Sequence, residues 1–246
     1  MTVTEFSNEF DIAYNSIATN TAPNIDLYEK SVYLTKAQLE IVKNYFDPNG
    51  NKYKTGFEGS SKRRNDLSEL IKPHVSTTQV SSSAGLSPKS QFFTIPADTF
   101  LIIQEQAKLS SSDSCIDGTY VDVVPKTHDE YNTQRKNPFR SPDKNLVWRI
   151  DFYKQGGNRN VELIPAHTVT EYKMRYIKYP SPIVLTNLVT AFAGEGLSID
   201  GVTTSQTCSL NVSIHREILD RAVELAQADY KPQNLQSKIQ LNQRNE

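Results

Sequence analysis

Apolar residues recur at helical spacing from the start of the chain. Phe6, Phe10, Tyr14 and Ile17 follow Thr2-Val3-Thr4-Glu5, whose hydroxyl and carboxylate can satisfy the free amides of a helix start, so an amphipathic helix ending near Thr19 is predicted. Pro23 and Asn24 break it. Asp26 with Glu29 repeats the start signal, and Leu27, Leu34, Gln38, Ile41 and Tyr45, flanked by Ala37, Val42 and Phe46, give a second stripe that stops at Asp47-Pro48-Asn49-Gly50. Two short-linked amphipathic helices predict an αα-hairpin. Leu67, Leu70 and Ile71 suggest a short helix ended by Pro73, and Val75 to Ser90 is Ser/Thr-rich without periodicity, which reads as a loop.

The period changes in the middle of the chain. Phe92–Ile95, Phe100–Ile103, Tyr120–Val124, Leu146–Ile150 and Val161–Ile164 are short, β-branched or aromatic runs punctuated by Pro and Gly, and Glu171 to Tyr179 alternates apolar and charged side chains. These predict a small mixed sheet. Gln155-Gly156-Gly157-Asn158 has the residues of a hairpin turn, and Thr127 with Glu130 can cap a short helix ending before Pro138. A last helix, capped by Ser213, carries Ile214, Ile218, Leu219, Ala222, Val223, Leu225 and Ala226 on one face, with Glu217 and Arg221 spaced to pair. Pro232 ends it, and the Gln/Asn-rich tail from Gln233 to Glu246 reads as an arm awaiting a partner.

The fold class expected is therefore α+β. The N-terminal αα-hairpin and the C-terminal helix form a helical body into which a small mixed β-sheet is inserted. The expected divisions are an N-terminal helical region over 1–74, a Ser/Thr-rich loop over 75–91, a β-rich inserted region over 92–185, a loop and C-terminal helix over 186–232, and a polar arm over 233–246.

Composition narrows the chemistry. With 27 basic and 28 acidic side chains the net charge is -1, so no global field draws in nucleic acid or an anionic membrane, and a charged partner must be met by a local patch. The chain begins without a basic and apolar leader pattern, and no apolar run approaches the roughly 20 residues of a bilayer span, so neither export nor membrane insertion is expected. Cys115 and Cys208 stand far apart, which reads as two reduced thiols rather than a disulfide or zinc motif.

No catalytic pattern emerges, and neither enzyme activity, cofactor nor metal is expected. His74, His128, His167 and His215 lack ligand spacing, and no nucleophile elbow or phosphate loop is present. Gly194-Glu195-Gly196 lacks the third glycine of a dinucleotide fingerprint. Acids such as Asp129 with Glu130, or Asp151 with Glu162, can be paired on paper but are expected to face water.

The sharpest local feature is basic: Lys52, Lys54, Lys62, Arg63 and Arg64 against the acid Glu58, with Tyr53 and Phe57 nearby for stacking. Such a patch can contact phosphate, or it can pair with acids of its own or a neighbouring subunit.

Asp26-Leu-Tyr-Glu-Lys-Ser-Val-Tyr-Leu-Thr-Lys-Ala-Gln-Leu-Glu-Ile-Val-Lys-Asn-Tyr-Phe46 resembles the N-terminal signature of a virion protein family of crAss-like bacteriophages infecting Bacteroides. Lys62–Leu67, Val123–Tyr131, Asn137–Pro142 and Ile214–Ala226 resemble further segments of that family in the same order, and the layout of helices around a β-rich middle is similar to head-to-tail adaptors. The resemblance implies a structural subunit of the head-to-tail connector, a ring protein of the neck or tail below the portal. It implies a homo-oligomeric ring of about twelve subunits, contacts with the portal and neighbouring ring or tail proteins, and passage of double-stranded DNA through the bore. The protein would reside in the virion after assembly in the host cytoplasm. Lys62, Arg63, Arg64, Phe139 and Arg140 are the expected assembly or DNA contacts, and the alternative is a nucleic-acid-binding accessory protein using segment 52–64.

Overall fold

The computed structural model describes residues 1–15, 25–46, 56–81, 85–137, 139–155 and 158–230. It divides into two compact units, Met1–Leu70 with Pro180–Glu246, and Ile71–Tyr179.

In the first unit, α1 (Val3–Asn15) begins where Thr2 Oγ1 accepts from the Glu5 amide and the Glu5 carboxylate accepts from the Thr2 amide. α2 (Leu27–Phe46) begins with the same reciprocal pair between Asp26 and Glu29. α3 (Ser61–Asp66), α5 (Leu188–Ala191) and α6 (His215–Tyr230) complete the helices of this unit. Phe6, Phe10 and Tyr14 of α1, Leu34, Ala37 and Val42 of α2, and Ile218, Ala222, Val223 and Ala226 of α6 are buried. α6 packs along both α1 and α2, so the principal partner of α2 is the last helix rather than its neighbour in sequence. Ser213 does not cap α6: Asn211 accepts from the Ser213 amide at 3.1 Å, and the Ser213 hydroxyl donates to Asp66 at 2.6 Å.

One face of α2 is polar yet buried, because it serves as a pairing edge. The Thr35 hydroxyl donates to Ile183 O and accepts from Ile183 N at 3.2 and 3.1 Å, Gln38 Nε2 donates to Ser181 O at 3.0 Å, and Ser31 Oγ accepts from Leu185 N at 2.9 Å. These helix side chains supply the hydrogen bonds that a neighbouring strand would give segment 181–185.

The second unit is an eight-stranded curled sheet, which overturns the expectation of a small sheet inserted in a helical body. Its strands are β1 (Ile71–Ser76), β2 (Gln79–Val80), β3 (Gln91–Ile95), β4 (Thr99–Ser110), β5 (Tyr120–Pro125), β6 (Leu146–Gln155), β7 (Asn158–Ile164) and β8 (Thr168–Lys178). The spatial order is β1-β8-β4-β5-β6-β7-β3-β2, antiparallel except for β5 with β6. That parallel pair needs a crossover, which α4 (His128–Gln134) supplies behind a complete Thr127–Glu130 capping box.

The register of β4 against β8 shifts at Thr99/Leu101, Ile102/Gln104 and Lys108/Leu109, and such bulges bend and twist a sheet sharply. The curl encloses a core of Phe93, Ala107, Leu109, Val147, Leu163, Val169 and Tyr172, large enough to make this unit a packed body in its own right. On the outer face, Tyr131 of α4 meets Trp148 edge-on at 6.1 Å and covers Ile150 and Ile164.

Side chains link the far ends of the curl. Gln79 Nε2 donates to Val169 O at 2.7 Å, the Val169 amide donates to Gln91 Oε1 at 2.8 Å, and His74 Nε2 lies 3.3 Å from Thr94 O. Segment 71–91, read as a helix end and a loop, thus supplies β1 and β2 and begins β3. Pro73 is tolerated because β1 lies at the edge, where a missing N–H costs no ladder bond. The expected turn at Gly156-Gly157 and the arm at 233–246 lie outside the described residues.

Candidate assembly surfaces

The basic run Lys62-Arg63-Arg64 sits on α3, where each cation meets a different environment. Lys62 Nζ pairs with Glu217 at 2.7 Å on the surface, Arg63 is buried with its guanidinium 5.2 Å from the centre of the Tyr45 ring, and Arg64 is exposed. Asp66, at the end of the same helix, is fully buried and accepts from Tyr45 Oη at 3.0 Å as well as from Ser213. Burial, together with the charges of Glu217 and Asp66, drives the Tyr45 phenol far above its usual pKa. The run therefore ties α3 to α2 through Arg63 and to α6 through Lys62, while Asp66 ties it to the segment before α6. Phe57, a proposed stacking platform, is itself buried against Phe46 at 5.2 Å, while Lys52, Tyr53 and Lys54 lie outside the described residues. The role of Asp66 leaves no local trace in the sequence, since its partners lie 21 and 147 residues away along the chain.

Phe139 and Arg140 occupy the other unit, on the connection between α4 and β6. Asn137 shapes this turn: its side-chain oxygen accepts from the Phe139 amide at 3.0 Å, and its carbonyl accepts from the Arg140 amide at 3.1 Å. Phe139 is 96 % exposed. Arg135, Lys136, Arg140 and Lys144, all exposed, surround it in sequence against the acid Asp143. An aromatic ring held in water and flanked along the chain by exposed cations has the chemistry of a contact surface.

Among the described residues no group of three or more His, Cys, Asp and Glu is placed to hold a metal, and no helix is long and apolar enough to cross a membrane. Cys115 and Cys208 are both free thiols. His215 is buried, its ring Nε2 lies 3.0 Å from Leu210 O, and burial lowers its pKa. Glu162 pairs with Ile150 in the register of β6 and β7, which turns Asp151 to the opposite face of the sheet. Glu162 instead accepts from the Leu86 amide at 2.7 Å and from the Ser90 hydroxyl. Gly194 and Gly196, with φ of 95° and 65°, turn the chain after α5 rather than open a helix.

Glu105 is a buried acid inside the curled sheet. Burial raises its pKa against the pull of Arg149, whose Nε lies 3.3 Å away, and the Tyr172 hydroxyl donates to it. These groups are packed in the core, where they join β4, β6 and β8.

Residues 1–238 match the family model of phage tail ring protein 3/4. The chain belongs to this family of crAss-like phage ring proteins. It is 44 % identical over 249 aligned positions to Ring protein 4/5 of Bacteroides phage crAss001, covering 100 % of both chains. It is 40 % identical over 227 positions to Ring protein 3 of the same phage, covering 92 % of this chain and 95 % of that one. This ring protein is thus a structural phage protein.

Proposed function

We propose that this ring protein is a subunit of the head-to-tail connector, one of the stacked rings of the neck or tail below the portal. It acts through its surfaces and not as an enzyme, without a cofactor. The end-to-end similarity to two ring proteins of a single phage carries this reading, because it covers both compact units and not a shared fragment. A closed ring of about twelve copies requires a heterologous contact, in which two different faces of each subunit are complementary. The near-neutral net charge of -1 suits a bore through which DNA must slide, since many cationic contacts to phosphate would hold it. Copies made in the host cytoplasm would join the portal and the adjacent rings during particle assembly.

The test is an electron-microscopy map of purified infectious particles. The chain is expected in a closed ring on the tail axis between portal and tail. Density for it elsewhere in the particle would remove the connector role, and its absence from the particles by mass spectrometry would remove the structural role altogether.

A further inference from the structure

The turn at Phe139 calls for an apolar seat bordered by acids, and the chain carries one on α1. Phe6, Phe10 and Tyr14 turn that helix inward, and at 3.6 residues per turn Glu5, Asn8 and Ile12 fall on the opposite side, with Glu9 beside them. Ile12 is 70 % exposed. The helix contains Glu5, Glu9 and Asp11 and no lysine or arginine. Asp11 is engaged by Lys30 at 2.7 Å, whereas Glu9 has no ion-pair partner among the described residues. The two surfaces are complementary in sign as well as in polarity: an aromatic tip flanked along the chain by cations, and an aliphatic side chain on the helix side that carries Glu5 and Glu9.

We propose that Phe139 of one copy seats on Ile12 of α1 in the next copy around the ring, with Arg140 facing Glu9 and Glu5. The proposal rests on the ring reading and names its side-to-side contact. Contact between different faces of identical chains is the type a closed ring needs. The aromatic ring supplies the apolar anchor, and the surrounding charges set orientation and exclude wrong neighbours. A DNA duplex fits the turn less well, because phosphate would engage Arg140 but leave Phe139 in water and meet the like charge of Asp143.

Charge exchange in the full-length protein tests this directly. Association is measured by sedimentation across a concentration series for the unaltered chain, Arg140→Glu, Glu9→Arg and the combined variant, with circular dichroism as the control for folding. Each single reversal should weaken self-association at least about tenfold, and the combined variant should recover most of it. Phe139→Ser should weaken association without altering the far-ultraviolet spectrum. Single reversals that associate like the unaltered chain, or a combined variant no better than either, overturn the contact. An unaltered chain that remains monomeric at every concentration also overturns it, while the ring reading is still decided by the particle map. Salt-sensitive binding to duplex DNA that Arg140→Glu abolishes, with self-association untouched, would reassign the turn to DNA.

Discussion

Glu162 is a buried carboxylate whose work is done by geometry. It holds the Leu86 amide and the Ser90 hydroxyl against the outer face of β7, and the Tyr131 hydroxyl grips the same segment by donating to Leu86 O at 3.0 Å. Removing an acceptor of charge-assisted bonds leaves its donors unsatisfied, so Glu162→Ala should cost about 2–4 kcal/mol, read as a lower urea midpoint. Glu105 has a folded pKa raised by burial. The folded state then holds the proton more tightly than the unfolded chain, and stability falls as pH rises from the ordinary value of 4.5 through the raised one. Thermal unfolding of the unaltered protein and Glu105→Gln across that range should show the variant losing less stability with rising pH; parallel curves would refute the assignment. Neither carboxylate is distinguishable in the sequence from a solvated acid, since the curl of the sheet buries Glu105 and the Leu86–Ser90 segment covers Glu162.

At the scale of elements, the pairing of α2 with segment 181–185 is the most specific device in the first unit. Thr35 both donates to and accepts from Ile183, so Thr35→Val should cost about 1–2 kcal/mol and speed amide exchange at Ile183. Arg221 makes two hydrogen bonds to Glu40, at 2.9 and 2.7 Å, and a third to Glu224. Exposure moderates this cluster, and Arg221→Ala should cost about 1 kcal/mol in the same assay. The helices themselves were legible: apolar spacing and the Thr2–Glu5, Asp26–Glu29 and Thr127–Glu130 pairs mark their starts by local chemistry. Their partners were not. Glu217 and Arg221 have the spacing of a mutual pair, yet Glu217 serves Lys62 and Arg221 serves Glu40, because tertiary neighbours offered better geometry. β1 is not legible in the sequence because Pro73 argues against a strand except at an edge, a first position or a bulge.

For the whole molecule, strand runs could be read from β-branched and aromatic residues, but their number and closure could not. β4 continues well beyond the Phe100–Ile103 run through Gln104, Glu105, Gln106 and Lys108, polar or charged residues that dilute the alternation, and bulges against β8 break its period. A sheet judged by its apolar runs is therefore judged too small. Family membership was legible for a different reason: the matching segments, from Asp26–Phe46 to Ile214–Ala226, span both units and keep their order.

The glutamines on Val169 bear on how such a protein avoids joining copies of itself in the wrong way. An open strand edge invites any other chain to extend it, and in a crowded particle that would yield fibres rather than a closed assembly. Here Gln79 and Gln91 occupy the bare backbone of β8 beyond β1, Pro73 blunts β1, and β2 is only 2 residues long. Replacing both glutamines by alanine should unmask that backbone and raise thioflavin-positive aggregation on mild heating. Subunits guarded in this way are left to recognise one another through the chemistry of their side chains, which neighbouring layers can vary independently.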